Sequence, residues 1–80
     1  MKDWFVYILS CADGTLYTGV TTDLTRRVEE HNDSIKGAKY TRARRPVSLY
    51  YYERYSSRSE ACVREAGIKK LSREEKRSLV

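Results

Sequence analysis

Residues 4–21 decide the fold and read WFVYILSCADGTLYTGVT. Two runs rich in β-branched and aromatic residues, 4–10 and 15–21, flank Asp13-Gly14, a pair that favours turns. This pattern predicts a β-hairpin. Gly14 suits the left-handed position that ends a three-residue loop, so we expect a three-residue connection.

The length of this loop sets which side chains share a face of the hairpin. With three loop residues, Tyr7 lies opposite Gly19 and Leu9 lies opposite Tyr17, so the rings of Tyr7 and Tyr17 are diagonal neighbours on one face. A two-residue loop would instead place the two rings on opposite faces.

A helix follows the hairpin. Thr22 is the expected cap and Asp23 the expected first residue, an acid at the positive end of the helix. The residues Asn32-Asp33-Ser34 then end the helix. One face of it is half apolar and half cationic or titratable, an unusual composition for a structural contact face; it carries Leu24, Arg27, Val28 and His31.

The remainder of the chain predicts one strand and two helices. A strand over 47–53 follows Pro46, a helix starts at the capping box Ser57-x-x-Glu60 and runs to about Leu71, and a short helix covers about 73–79. The order β-β-α-β-α with a short C-terminal helix predicts an α+β fold, a three-stranded antiparallel sheet flanked by helices. Alternation along the strand should send the rings of 50, 51 and 52 to opposite faces in turn.

Size and composition restrict the class of protein. With 80 residues, 9.4 kDa and 40% apolar residues, the chain supports a single domain over 1–80. Two cysteines are too few for a disulfide scaffold, and one histidine makes a zinc site implausible. Without an export signal or an apolar run long enough to cross a bilayer, we expect a soluble cytoplasmic protein that does not bind membranes.

The positive charge is concentrated in one segment. The net charge is +5, and 34–45 holds five basic residues and no acid, so the rest of the chain is neutral. Such a block can release several counterions from one phosphate backbone, which favours nucleic acid as the partner. A solvated basic loop without a ligand is the alternative. The basic residues, which we predict to bind substrate, are Lys36, Lys39, Arg42, Arg44 and Arg45.

Glu65 interrupts the apolar strip of the long helix. Helical periodicity places it near Ala61, Ile68 and Ser72 but does not establish that it points inward. A carboxylate near the core needs a cation, a metal or a proton. A salt bridge to an arginine such as Arg27 or Arg64 is as acceptable as a metal site.

Five side chains have the types that phosphodiester hydrolysis requires, namely a base for water, a cation for the phosphate charge and a metal ligand. Each also has an ordinary structural explanation, such as packing for a tyrosine or solvation for a helix arginine. The five are Tyr7, Tyr17, Arg27, His31 and Glu65.

The sequence resembles the GIY-YIG nuclease superfamily over nearly its whole length. Val6-Tyr7-Ile8 stands at the place of the first signature triplet, with valine before the tyrosine where the motif has isoleucine. Ten residues after Tyr7, Tyr17-Thr18-Gly19 matches the second triplet, with threonine in the middle. Arg27 and His31 match the helix motif, and Glu65 matches the metal-binding glutamate. The chain is most similar to the small stand-alone bacterial members, which share the stretch 37–41 and the Lys-Lys-Leu end of the helix.

The resemblance implies a mechanism for DNA cleavage. Glu65 would hold a single Mg²⁺ or Mn²⁺ ion, Arg27 would stabilise the phosphate, and either Tyr17 or Tyr7 would accept a proton from water, with His31 contributing positive charge. Gly19 would lie at the substrate. DNA is favoured over RNA, and repair or recombination is the expected process.

The chain departs from the family pattern in two places. No asparagine follows Asn32, and Val20-Thr21-Thr22 stands where a lysine is common. With no recognition domain, specificity would come from nucleic-acid structure, the basic segment or a protein partner. Two other functions stay open: a nucleic-acid-binding module with little catalysis, and an interaction domain whose tyrosines only pack.

Overall fold

The computed structural model describes residues 2–80 and confirms the predicted fold class. The sheet is antiparallel with the order β2-β1-β3, so β1 is the central strand. The described elements are β1 (Trp4–Ser10), β2 (Leu16–Thr21), α1 (Leu24–Asp33), α2 (Lys39–Arg42), β3 (Ser48–Tyr55), α3 (Arg58–Lys69) and α4 (Arg73–Arg77).

The hairpin has the predicted three-residue loop and register. Tyr7 lies opposite Gly19 and Leu9 lies opposite Tyr17. Gly14 adopts a φ of 84°, the left-handed conformation that glycine reaches without steric cost. The two phenol rings therefore lie on the same face of the sheet.

Helices cover both faces of the sheet. The α3 face is packed by α3 around a buried cluster of Val6, Ile8, Ala61 and Ile68. The opposite, α1 face is packed by partly buried residues of α1 around a second cluster of Tyr7, Leu9, Cys11 and Val47. Because β1 contributes to both clusters in alternation, its side chains from Val6 to Leu9 are all buried.

The expected alternation of the tyrosine rings along β3 is wrong, because a β-bulge interrupts the pairing of β3 with β1. Ile8 faces Tyr51 but Leu9 faces Leu49, so Tyr50 is an extra residue in the ladder. As a result Tyr50 and Tyr51 both pack against the α3-face cluster.

The helix starts follow capping chemistry, with one correction. Asp23 rather than Thr22 caps α1, because its carboxylate accepts from the backbone N–H of Arg26 at 3.0 Å. Ser57 caps α3 as predicted, accepting from the backbone N–H of Glu60. The Glu60 carboxylate, however, accepts from the Ser57 hydroxyl rather than completing a capping box. A complete box occurs at Ser72, the start of α4.

The ends of the elements also differ from expectation. β3 extends two residues beyond the predicted end, and α3 stops at Lys69, since Leu71 N–H bonds to the Ile68 carbonyl and leads into the next cap. The short helix α2 within the basic segment was not predicted. It forms because the Ala38 carbonyl accepts from Thr41 and Arg42, closing one turn.

The segment 34–45 lies directly against the end of α1. A Cβ on Gly37 would lie 2.6 Å from the carbonyl oxygen of Glu30 and 2.9 Å from the His31 Cα, so only glycine permits this approach. The Arg45 guanidinium donates to the carbonyls of His31 and Ser34 at the C-terminal end of the helix, where carbonyl groups lack partners within the helix itself.

Asn32 joins the end of α1 to the residue before β3. Its amide group donates to the Val47 carbonyl at 2.9 Å and accepts from the Val47 N–H at 2.7 Å.

Within residues 2–80, no helix has the length and apolar character needed to cross a bilayer.

Candidate active site

Tyr7 lies at the centre of the candidate site. It is 2% exposed, and its ring passes over Gly19, where a Cβ would lie 2.6 Å from the Tyr7 Cζ. Burial raises the pKa of Tyr7 to about 12, and the negative charge of Glu65 contributes to this rise while Arg27 opposes it. Tyr7 is therefore a neutral phenol at physiological pH.

His31 of α1 is fully buried and hydrogen-bonded on both ring nitrogens. Nε2 lies 2.8 Å from the Tyr7 hydroxyl, and Nδ1 lies 2.9 Å from the Thr41 Oγ1 and accepts from the Ala38 N–H at 3.2 Å. An amide N–H can only donate, so Nδ1 is the acceptor and the ring proton is on Nε2. His31 thus donates to the Tyr7 oxygen.

The charge state of His31 agrees with this assignment. Burial, together with the charge of Arg27, lowers the pKa of His31 to about 4. A neutral ring has one donor and one acceptor, which are the roles that Tyr7 and Ala38 require. His31 orients Tyr7 and contributes no positive charge at neutral pH, where the family resemblance had suggested a cation.

Tyr17 is half-buried and lies beside the same histidine. Its ring centroid is 5.3 Å from that of His31 in an edge-to-face arrangement, and 5.7 Å from that of Tyr40 in a stacked one. Among residues 2–80 its hydroxyl has no hydrogen-bond partner, so this phenol is available to a bound molecule.

Arg27 reaches the site from α1, one turn before His31. One terminal nitrogen donates to the Glu30 carboxylate and to the Lys36 carbonyl, both at 2.9 Å. The guanidinium also interacts with the Tyr7 hydroxyl, so only part of its planar donor set remains for a ligand. Its positive charge acts on both Tyr7 and His31, since it lowers the pKa of each.

Glu65 is half-buried on α3, and its charge is felt at Tyr7. Its ion pair is with Lys69 at 3.3 Å, rather than with either arginine considered from the sequence. Arg64 instead pairs with Glu53. The side chain of Lys69 is 55% exposed, so this ion pair lies at the surface.

The five basic residues of the segment 34–45 divide into two groups. The first is held by contacts within the protein: Arg44 pairs with Asp13 at 3.0 Å, and Arg45 binds helix carbonyls. The second group is exposed, and in the described part of the chain its side chains have no acidic partner within 4.0 Å. This group consists of Lys36, Lys39 and Arg42.

Sequence reasoning did not identify Thr41, Ala38 or Tyr40 as parts of the site. All three belong to the stretch 37–41 that is shared with the small bacterial relatives, and this shared stretch was the available signal. Its role follows only from the position of α2, which brings the three residues against His31 and Tyr17.

Known proteins resemble this chain over most of its length. Residues 3–78 match the model of the GIY-YIG catalytic domain. A UPF0213 protein of Desulfotalea psychrophila is 64% identical over 77 residues, which cover 96% of this chain and 70% of that protein. One from Natronomonas pharaonis is 59% identical, with 98% of this chain and 91% of that protein covered.

Solved structures show the same fold. The solution structure of an E. faecalis protein is 46% identical and superposes with a TM-score of 0.67, covering 99% of this chain and 83% of that one. The UPF0213 protein from Bacillus halodurans is 48% identical with a TM-score of 0.60, at coverages of 96% and 81%. The chain belongs to the GIY-YIG catalytic domain family.

Proposed function

We propose that residues 1–80 form one nuclease-like domain that hydrolyses DNA phosphodiester bonds with a divalent cation, in repair or recombination. The observation that carries the proposal is the meeting of Tyr7, Tyr17, Arg27 and His31 on the α1 face. The exposed side chains of Lys36, Lys39 and Arg42, which have no acidic partner within residues 2–80, support it. A nuclease-type fold is consistent with the family match.

The two tyrosines have different roles in this proposal. Tyr7 is buried, has a high pKa and accepts a hydrogen bond from His31 Nε2–H, so it is suited to orient the substrate or water through its own O–H. Tyr17 is more accessible, with a hydroxyl free of partners in 2–80. We assign to Tyr17 the role of general base, which nearby positive charge would assist.

Arg27 and the exposed cations would bind the phosphates. The free donors of Arg27 match the planar arrangement of phosphate oxygens near the reacting atom. Lys36, Lys39 and Arg42 would follow the backbone on either side and make binding dependent on salt.

Glu65 fits the ligand chemistry of Mg²⁺ or Mn²⁺. In the described residues no group of three or more His, Cys, Asp or Glu side chains converges, so a cation at Glu65 would have fewer than three such ligands from the protein. Mg²⁺ commonly binds through one or two carboxylates together with water and substrate phosphate. When bound, the ion would neutralise charge on the phosphate and lower the pKa of a coordinated water.

Cleavage of duplex, single-stranded and branched DNA in Mg²⁺ or Mn²⁺ tests the proposal. Arg27→Ala and Glu65→Gln should each lower the rate by about 100-fold or more. Matched controls lie on the surface of α1: Arg26→Ala and Glu29→Ala should leave the rate within about twofold. Equal rates in all five proteins would remove the nuclease assignment.

A nucleic-acid-binding module without catalysis is the second candidate, favoured by the engagement of one Arg27 nitrogen with Glu30. Binding that weakens with salt, without turnover and insensitive to Glu65→Gln, would select it. Replacing Lys36, Lys39 or Arg42 by alanine should lower the slope of log K against log salt by about one each in either case.

A further inference from the structure

The Tyr17 ring packs against the α1-face cluster and lies between two further aromatic rings. Its neighbours are the edge-to-face ring of His31 and the stacked ring of Tyr40, at an interplanar angle of 28°. Hydrogen bonds at both ring nitrogens fix His31, so its ring is a rigid contact on one side of Tyr17. Tyr40 is the stacked neighbour of the Tyr17 ring, so its removal would uncover one side of that ring and leave only the His31 edge and the α1-face cluster against it.

Tyr40 is itself held by a brace from the hairpin loop. The Arg44 guanidinium lies over the Tyr40 ring, 3.9 Å from its centroid, and also donates to the Tyr40 carbonyl at 2.9 Å. Arg44 pairs with Asp13 at 3.0 Å, and Asp13 accepts from the backbone N–H and hydroxyl of Thr15. The Ala12 N–H donates to the Arg44 carbonyl, which joins the same two segments through the backbone.

We propose that Tyr40 is a positioning residue for Tyr17, and that Arg44 and Asp13 hold Tyr40 in place. The inference rests on the proposed function, because Tyr17 is the general base there. It gives Arg44 a bracing role in place of the substrate contact expected from the sequence. A ring that stacks needs no hydroxyl, so phenylalanine should replace Tyr40 without loss.

The first experiment measures the position of Tyr17 without any reaction. Nuclear Overhauser contacts between the ring protons of Tyr17 and His31 should be present in the wild type and in Tyr40→Phe. They should be lost or strongly weakened in Tyr40→Leu. Tyr52→Leu is the matched control, since Tyr52 is also an exposed tyrosine, at 52%, but lies away from Tyr17 on β3.

The second experiment measures cleavage kinetics on the same variants. Tyr40→Leu should lower kcat about tenfold or more, because small displacements of a reacting group have large effects on rate. KM should stay within about twofold, since phosphate contacts are retained. Tyr40→Phe and Tyr52→Leu should behave as the wild type.

A third comparison distinguishes a brace from a phosphate ligand. If Arg44 braces Tyr40, Arg44→Gln and Asp13→Asn should lower kcat by similar factors of about threefold, and the double variant should show no further loss. If Arg44 binds phosphate instead, Asp13→Asn should free it and tighten DNA binding, while Arg44→Gln should weaken binding and its salt dependence.

Intact Tyr17–His31 contacts in Tyr40→Leu, with kcat equal to that of Tyr52→Leu, would overturn the proposal. If Tyr40→Leu does not fold, Arg44→Gln provides the test, because it keeps the Tyr40 ring. Loss of the Tyr17–His31 contacts in Arg44→Gln would support the proposal, and their retention would overturn it. Absence of cleavage in every protein, the wild type included, would refute the proposed function, while the nuclear Overhauser measurement would still test the positioning.

Discussion

The two faces of the sheet each carry a cluster of tyrosines with an arginine, but the clusters differ in how far they satisfy themselves. On the α3 face, Arg64 donates to both carboxylate oxygens of Glu53 at 2.8 and 3.0 Å. The hydroxyls of Tyr51 and Tyr55 donate to the same carboxylate. These contacts, Arg64 first, lower the pKa of Glu53 to about 2.

In residues 2–80, no carboxylate accepts a hydrogen bond from the phenols of the α1 face. Tyr7 and Tyr17 lie around a neutral histidine, and Glu30 occupies only one nitrogen of Arg27. The same residue types therefore form a closed ion-pair network on one face and an open set of phenols and guanidinium donors on the other. The comparison teaches that the presence or absence of an internal carboxylate at the centre, rather than the inventory of side chains, separates a structural cluster from a binding site.

The largest expected effect comes from adding one methyl group at Gly19 on the α1 face. Gly19→Ala should reduce cleavage by about 100-fold and the free energy of unfolding by about 1–3 kcal/mol, because the new Cβ would enter the Tyr7 ring. Rates and urea unfolding measure both effects. A variant that retains the wild-type rate would show that the position of the Tyr7 ring does not matter.

As the pH falls, His31 on the α1 face should be the first of these groups to lower the free energy of unfolding. The pKa of His31 falls from 6.5 in the unfolded chain to about 4 in the folded one. Between these values the unfolded chain binds a proton that folded His31 does not, so the stability present above 6.5 is lost as the pH falls. The expected loss is about 3 kcal/mol, at about 1.4 kcal/mol per pH unit.

Urea unfolding across this pH range, with His31→Gln as the control, measures the acid effect. His31→Gln removes the titrating group and should flatten the curve in this window. An equal slope in both proteins would mean that other groups carry the acid sensitivity.

The Glu53 network on the α3 face should respond to acid at a lower pH, and its loss should not affect cleavage. The pKa of Glu53 falls from 4.5 to about 2, so its contribution is present above 4.5 and is lost as the pH falls through 2. Glu53→Gln should lower the free energy of unfolding by about 2 kcal/mol and leave Arg64 without its partner. Cleavage at the optimum temperature of the variant should stay at the wild-type rate. A large fall in cleavage would show that the two faces are coupled.

The smallest effect is a gain. Gly67 lies exposed within α3, and a Cβ there would meet no atom within 4 Å. Gly67→Ala should therefore raise the free energy of unfolding by about 0.5–1 kcal/mol through helix propensity and the unfolded chain. Thermal and urea unfolding measure the gain. Destabilisation would indicate a contact that the open surface of the helix does not show.

The sequence predicts local features of this molecule well. The turn chemistry of Gly14 sets the hairpin register, and the register places Tyr7 and Tyr17 on one face. The helical period then places Arg27 and His31 one turn apart. Each of these features depends on residues that are close in the chain, where steric rules and capping decide the outcome.

Features that depend on distant partners were beyond the sequence. Helical periodicity does not pair Arg64 with Glu53, because Glu53 lies on β3. The bulge at Tyr50 depends on how β3 meets β1, which pattern alone does not set. Arg45 looked like one more surface cation, because only the folded chain brings it to the end of α1.

The contact at Gly37 limits how this protein can diversify. A chain that touches a helix terminus without room for a methyl group cannot accept an insertion there without losing Ala38 and Thr41 from His31. The side chains at positions 36, 39 and 42 are exposed, so their charge can be changed without disturbing this contact. Under the proposed function, a designer who wishes to change the preference for a nucleic acid should therefore vary the identity of these three side chains and keep the length of the segment constant.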